Sequence, residues 1–389
     1  MKFSSVVERI AGEGAEAWTM HYKAREAQER GEDVIVLSIG DPDLPAPAPV
    51  LERAIAALRA GDLRYTPAAG RHEVRAAIAA AHVLRTGQPV SAENVIFLSG
   101  TQNALFAASM CIAGPGDEVL AMEPLYPSYP ATIQASGARM VRVPAPASRG
   151  FRPDLGKLEA AITPRTRALF FATPNNPSGV ILSEHELTAI GELARRHSLW
   201  LVADEVYAGL APKGRVPGLA ARLPEQVITV SSISKSHSLP GLRAGWLVGP
   251  PALVKHAESL AMCMLFGLPG FIQEATITAL KVADQAESRI RDLCTARRDM
   301  LLKGLEGLRG IRCCAPDAGM FTLMDVRGTG LSGYDFMCAL YDSERVSVID
   351  GGAFGAETRG FVRLCFAADE ATLSQAVVRI RRFVGTLVR

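Results

Sequence analysis

A chain of 389 residues that is 48% hydrophobic and 21% charged can bury a large core, and a formal net charge of +2 gives no basic field for nucleic acid or an anionic membrane surface. The opening stretch MKFSSVVERIAGEGAEAW has no apolar run fit for a secretory leader, and the longest apolar stretch, LAMCMLFGLPGFI, is interrupted by Gly267, Pro269 and Gly270 and is too short to span a bilayer. Seven cysteines and seven histidines are scattered without C-x-x-C or H-E-x-x-H spacing, which argues against a metal centre and for a reducing, cytoplasmic setting.

In chain order, residues 1–47 are too few for a domain and are expected to pack with a small C-terminal domain. Between 48 and 285, short apolar runs alternate with helical stretches: NVIFLSG, EVLAMEP, ALFFATP, LWLVADE, VITVSS and AGWLVG. Each run is nearly continuous in apolar residues and stops at Gly, Pro, Asp or Ser. Strands buried on both faces of a mainly parallel sheet have this pattern. From 286 to 389 the pattern changes. A long helical stretch carries Ile290, Leu293, Met300 and Leu301 at helical spacing, and strand candidates MFTLMDV, VSVI and FVRLCFA follow. A last helix places Leu373, Ala376, Val377, Ile380, Phe383 and Val384 on one face. The prediction is an α/β fold with a large mainly parallel domain over 48–285 and a smaller α+β domain over 286–389.

Ligands of open parallel sheets bind beyond the carboxyl ends of the strands. After VIFL comes Ser99-Gly100-Thr101-Gln102, opening a helix. After VLAM comes Glu123-Pro124-Leu125-Tyr126, and after LFFAT comes Pro174-Asn175-Asn176-Pro177-Ser178-Gly179. After LWLVA comes Asp204-Glu205-Val206-Tyr207, and after VITV comes SSISKSHSLPGLRAGW, with Lys235 and Arg243. On local pattern alone Lys235 is either a solvated edge charge or a chemical group at the mouth of a sheet. The company it keeps favours the second reading. A helix N-terminus with Ser232 and Arg243 suits a phosphate. A carboxylate, an amide, a phenol and an amine around an aromatic face suit a flat charged heterocycle. Pyridoxal 5'-phosphate needs such a lysine and such an acid.

Asn176-Pro177-Ser178-Gly179, Asp204-Glu205-Val206-Tyr207 and Ser232-Ile233-Ser234-Lys235 with Pro240-Gly241-Leu242-Arg243 resemble the motifs of class I/II aminotransferases of fold type I. LSIGDPD near the start and FVRLCFA near the end extend the resemblance over about residues 35–370. It implies that Lys235 forms the Schiff base with pyridoxal phosphate and shuttles the substrate's α-proton. A free lysine titrates near about 10.4, so desolvation and Schiff-base formation must make it a usable base. Asp204 is implied to pair with the pyridinium nitrogen, Tyr207 and Asn176 to hydrogen-bond the 3′-oxygen, and Tyr126 to stack on the ring. Thr101, Gln102, Ser232 and Arg243 would hold the phosphate, with Tyr65 reaching in from a partner subunit of a homodimer. Arg363 would grip the substrate α-carboxylate, helped by the backbone at Gly40 and by Asn176. The chain departs from the family at Asp350-Gly351, where Pro-Gly is usual, and the glycines of Gly351-Gly352-Ala353-Phe354-Gly355 read as turn residues.

The resemblance implies transfer of an amino group from an L-amino acid to a 2-oxo acid. The shared motifs leave open another reaction on the same scaffold, such as C–S β-elimination, and a non-catalytic regulator that binds the cofactor. RIAGEGAEAWTMHYKA, SKSH, AMCMLFGLPGFIQEA and GMFTLMDVRGTGLS are similar to arginine–pyruvate aminotransferases. A guanidinium donor needs a carboxylate, and Glu13 or Glu16 in the N-terminal segment are the candidates.

Overall fold

The computed structural model describes residues 1–11, 16–212, 223 and 225–387. Its centre is a seven-stranded sheet. The strands are β2 (Val95–Ser99), β3 (Glu118–Glu123), β4 (Arg139–Pro144), β5 (Thr166–Ala172), β6 (Trp200–Asp204), β7 (Val227–Ser232) and β8 (Ala244–Val248), in the order β2-β8-β7-β6-β5-β3-β4. A further short strand, β1 (Ile35–Val36), precedes them in the chain. Every pairing in the large sheet is parallel except those of β8, which runs antiparallel to both neighbours.

The apolar runs form these strands because both faces of the sheet are covered. Ile96, Leu98, Phe170, Val202, Ile228 and Leu247 pack on one face with Leu105 and Ala108 of the helix Gly100–Ile112. Leu120, Leu169, Phe171 and Leu201 pack on the other with Leu187, Ile190 and Ala194 of the helix Glu184–His197. That helix starts with a capping box in which Ser183 and Glu186 satisfy each other's backbone N–H groups.

A second core gathers Met20 and Ala24 from the helix Thr19–Glu29, Ile290, Cys294 and Leu301 from the helix Ala283–Leu305, and Leu373, Ile380 and Phe383 from the helix Glu370–Leu387. Its sheet consists of β9 (Arg312–Cys314), β10 (Phe321–Asp325), β12 (Ile349–Asp350) and β13 (Phe361–Cys365), ordered β12-β13-β10-β9 and antiparallel throughout. The VSVI run splits into β11 (Val346–Ser347), which pairs in parallel with β1, and β12. Residues 35–36 are thereby tied to the second core. No helix among the described residues is long and apolar enough to cross a membrane.

Candidate active site

Strand register brings the predicted groups to one end of the large sheet. Ser232 lies opposite Gly245, and Ala244 lies opposite Ser99, so the ends of β7, β8 and β2 stand side by side. A Cβ on Gly245 would run into the backbone of Gly100, and one on Gly100 would meet the Arg243 guanidinium. Two glycines therefore let a helix N-terminus and an arginine approach closely. Arg243 takes a left-handed backbone (φ 53°), and its Nη1 donates to Pro240 O at 2.9 Å. The helix Gly100–Ile112 has no side-chain cap, and the Thr101 hydroxyl is buried with no hydrogen-bond partner. Uncapped N–H groups, an orphan hydroxyl and a guanidinium make a cradle for an anion. Gln102 is committed within the chain: its Nε2 donates to Thr132 Oγ1 at 2.7 Å and its Oε1 accepts from Ser128 Oγ at 2.6 Å. Ser232 caps the short helix Ile233–Ser236 by accepting the Ser234 N–H at 3.3 Å.

That short helix carries Lys235. Its Nζ donates to Gly40 O at 2.6 Å, joining the end of β7 to the segment after β1. Burial pushes this ammonium below its ordinary range, and the nearby Asp41 carboxylate opposes the shift in part. Asp204 ends β6 and is buried. Its Oδ2 accepts from Tyr129 Oη at 2.7 Å and its Oδ1 from the Val206 N–H at 3.1 Å. Burial outweighs both hydrogen bonds and raises the Asp204 carboxyl to about 6. A cation against it would reverse the shift. The ring of Tyr126 packs edge-on between Trp18 at 6.4 Å and Tyr129 at 6.3 Å. Tyr207 is buried, and its ring meets Phe321 at 6.0 Å.

Arg363 sits on β13 and is fully buried. Its Nη1 donates to Asn176 Oδ1 at 3.1 Å and its Nη2 to Ser38 O at 2.6 Å. Its guanidinium lies 4.0 Å from the centroid of Phe321 and 4.9 Å from that of Phe354. Among the described residues no carboxylate ion-pairs with it, and its Nε has no partner. A buried guanidinium held only by neutral groups is ready for a carboxylate from outside.

Tyr65 stands apart. It is 87% exposed, and its ring touches Phe266 at 5.2 Å. Glu13 lies outside the described residues, and Glu16 opens the turn Glu16–Trp18. Sequence reasoning passed over Tyr129, Ser38, Phe321 and Phe354. Tyr129 had a usable signal, because it lies three residues after Tyr126 at a helix start. The others are brought in by tertiary packing. An ammonium, a buried acid, an anion cradle and a buried guanidinium together fit pyridoxal phosphate and an amino acid.

Comparisons with known proteins point to the same cofactor. The sequence profile of the family "Aminotransferase class I and II" matches residues 32–380. The chain is 43% identical to the arginine–pyruvate transaminase AruH of Pseudomonas aeruginosa, over 98% of this chain and 97% of that protein. It is 34% identical to the aspartate/prephenate aminotransferase of Thermus thermophilus, over 93% and 94%. The structure of Thermus thermophilus aspartate aminotransferase with maleate superposes with a TM-score of 0.94 at 32% identity, covering 98% of this chain and all of that one. The chain thus belongs to the class I and II aminotransferases, pyridoxal-phosphate enzymes of fold type I that move an amino group between an amino acid and a 2-oxo acid.

Proposed function

We propose that the chain transfers the α-amino group of arginine to pyruvate. The donor and acceptor are those in the name of the relative that shares 43% of its residues over nearly the whole length. The observation that carries the amino-acid reading is Arg363, buried and without an acidic partner among the described residues.

Thr101 Oγ1, the N–H groups opening the helix Gly100–Ile112, Ser232 and Arg243 would hold the cofactor's phosphate, with Gln102 supporting the helix start from its bonds to Ser128 and Thr132. Asp204 would keep a proton on the ring nitrogen, Asn176 and Tyr207 would bond the 3′-oxygen, and Tyr126 would cover a ring face. Pyridoxal phosphate, when bound, supplies a ring that takes up the electron pair left on the substrate's α-carbon. Lys235 Nζ, whose affinity for a proton is lowered by burial, would take the proton from the substrate's α-carbon and hold it at Nζ. Arg363 with Asn176 and the backbone at Gly40 orients the α-carboxylate so that this proton faces Lys235.

The same reading makes the enzyme a homodimer, with the exposed Tyr65 reaching a partner's phosphate cradle. It works in the reducing cytoplasm, in keeping with buried Cys294 and Cys365 whose thiols burial pushes up to about 12 and about 11. It divides the chain into an N-terminal segment 1–47, a cofactor domain 48–285 and a small domain 286–389. The test is a half-reaction screen. Holoenzyme is mixed with each amino acid and the decay of the cofactor's visible absorbance is timed. Arginine should react at least about tenfold faster than aspartate or phenylalanine, a gap of about 1.4 kcal/mol in barrier. A faster reaction with aspartate overturns the donor assignment.

A further inference from the structure

Glu123 ends β3 and is 4% exposed. A carboxylate so placed must have partners. One of its oxygens accepts the backbone N–H of Ala356, and Arg142 stands 3.9 Å away. Ala356 belongs to the Gly-rich loop between β12 and β13, formed by the turns Gly351–Phe354 and Ala356–Thr358. The large sheet therefore grips a loop of the smaller one through a buried charge.

Three further contacts show what the grip holds. The Leu125 N–H donates to Phe354 O at 3.0 Å, two residues along from Glu123. Asn175 Nδ2 donates to Pro124 O at 3.1 Å, next to the Asn176 that accepts from Arg363. The Phe354 ring lies against the Arg363 guanidinium. Residues 123–125 thus support Arg363 from two sides, through the phenyl face of Phe354 and through the amide of Asn176. Gly355 has φ 128°, and a Cβ there would collide with the Glu123 carboxylate, so a side chain at this position would push the loop off. Thr358 closes the loop by donating to Gly351 O at 2.7 Å.

We propose that Glu123 is a positioning residue for the substrate carboxylate: by holding the Ala356 N–H it seats Phe354 on Arg363 and fixes the angle of the guanidinium. The role rests on the reading of Arg363 as the carboxylate-binding residue. Asp350, where the family usually has proline, accepts the Gly352 N–H in the same loop.

The test separates carboxylate affinity from cofactor affinity. Holoenzyme of wild type, Glu123→Ala, Glu123→Gln, Phe354→Leu and Arg363→Lys is titrated with a competitive inhibitor, the donor acid lacking its amino group, and each variant's dissociation constant for pyridoxal phosphate is measured beside it. Glu123→Ala should raise the inhibition constant about tenfold and leave cofactor affinity within about twofold. Glu123→Gln, whose carbonyl oxygen still accepts the Ala356 N–H, should recover most of the loss. Phe354→Leu should match Glu123→Ala and carries the comparison should that variant fail to fold. Combining the two should add less than the product of the single effects. Equal losses for inhibitor and cofactor mean a merely structural part and overturn the proposal, as does no loss of inhibitor affinity. If Arg363→Lys leaves the inhibition constant unchanged, the reading of Arg363 falls and this inference with it. If Arg363→Lys weakens the inhibitor while Glu123→Ala and Phe354→Leu do not, only the role of Glu123 is refuted.

Discussion

Replacing Asp204 by asparagine should make the apoprotein more stable and the enzyme far slower. The folded carboxyl is raised from 3.8 to about 6, with burial as the chief cause. A raised carboxyl favours folding only while protonated, so its contribution is present below about 3.8 and is lost as pH climbs through 6. One pKa unit is 1.36 kcal/mol, so the carboxyl opposes folding by roughly 3 kcal/mol at pH 8, where it is ionised, and by about half that at pH 5, where folding must keep it protonated. Asparagine removes the charge; its Oδ1 keeps the Val206 N–H, and its Nδ2 donates to the Tyr129 oxygen, which in the wild type donates at 2.7 Å. Asp204→Asn apoprotein should therefore melt a few degrees above wild type at pH 8, with a smaller gap at pH 5, in scanning calorimetry of cofactor-free protein. Turnover should fall roughly a hundredfold or more, the usual cost of losing one such electrostatic partner. An apoprotein less stable than wild type at pH 8, or a rate within about threefold of normal, refutes the argument.

Lys235→Ala should lose the visible absorbance of the lysine-linked cofactor and essentially all turnover, read by spectrophotometry and a coupled assay. Thr101→Val fills the same volume without the unpartnered hydroxyl, and it should weaken cofactor binding about tenfold while kcat at saturating cofactor stays within about twofold. Asn176→Asp keeps an acceptor 3.1 Å from Arg363 but neutralises it internally, so KM for donor and acceptor should rise about a hundredfold in steady-state kinetics.

The architecture was legible because buried parallel strands leave a direct trace. Val95–Leu98 and Leu201–Asp204 are continuously buried, and their runs end where the chain turns out of the sheet. The edge strands β4 and β9 left no such trace. Arg139 and Arg142 lie on β4 and Arg312 on β9, where one side faces solvent and charge is tolerated, so RMVRVP and RCC do not read as buried runs. The antiparallel sense of β8 was equally hidden, since AGWLV is as apolar as its parallel neighbours. Groups at strand ends could be found because the topology of open sheets says where ligands sit. Phe354, Phe321 and Ser38 could not, because a Gly-rich loop, a strand of the second sheet and the segment after β1 meet at Arg363 only through tertiary packing.

Arg363 and Asp204 are both buried, yet each is solvated by neutral groups and neither is cancelled by the other. Arg363 has a carbonyl, an amide oxygen and two aromatic faces, while Asp204 has a phenol and a backbone N–H. Neutral partners lower the cost of burial without removing the charge, which leaves each group able to bind an opposite charge from outside. The two charges differ in sign and in element. A cation suits Asp204 at the end of the large sheet, and an anion suits Arg363 on β13 of the smaller one. Under the proposed assignments a protonated ring would answer Asp204 and an α-carboxylate would answer Arg363, with Lys235 held by its Nζ on Gly40 O. Among the described residues neither charge is compensated, so a ligand carrying the opposite charge at each position would restore stability that burial costs.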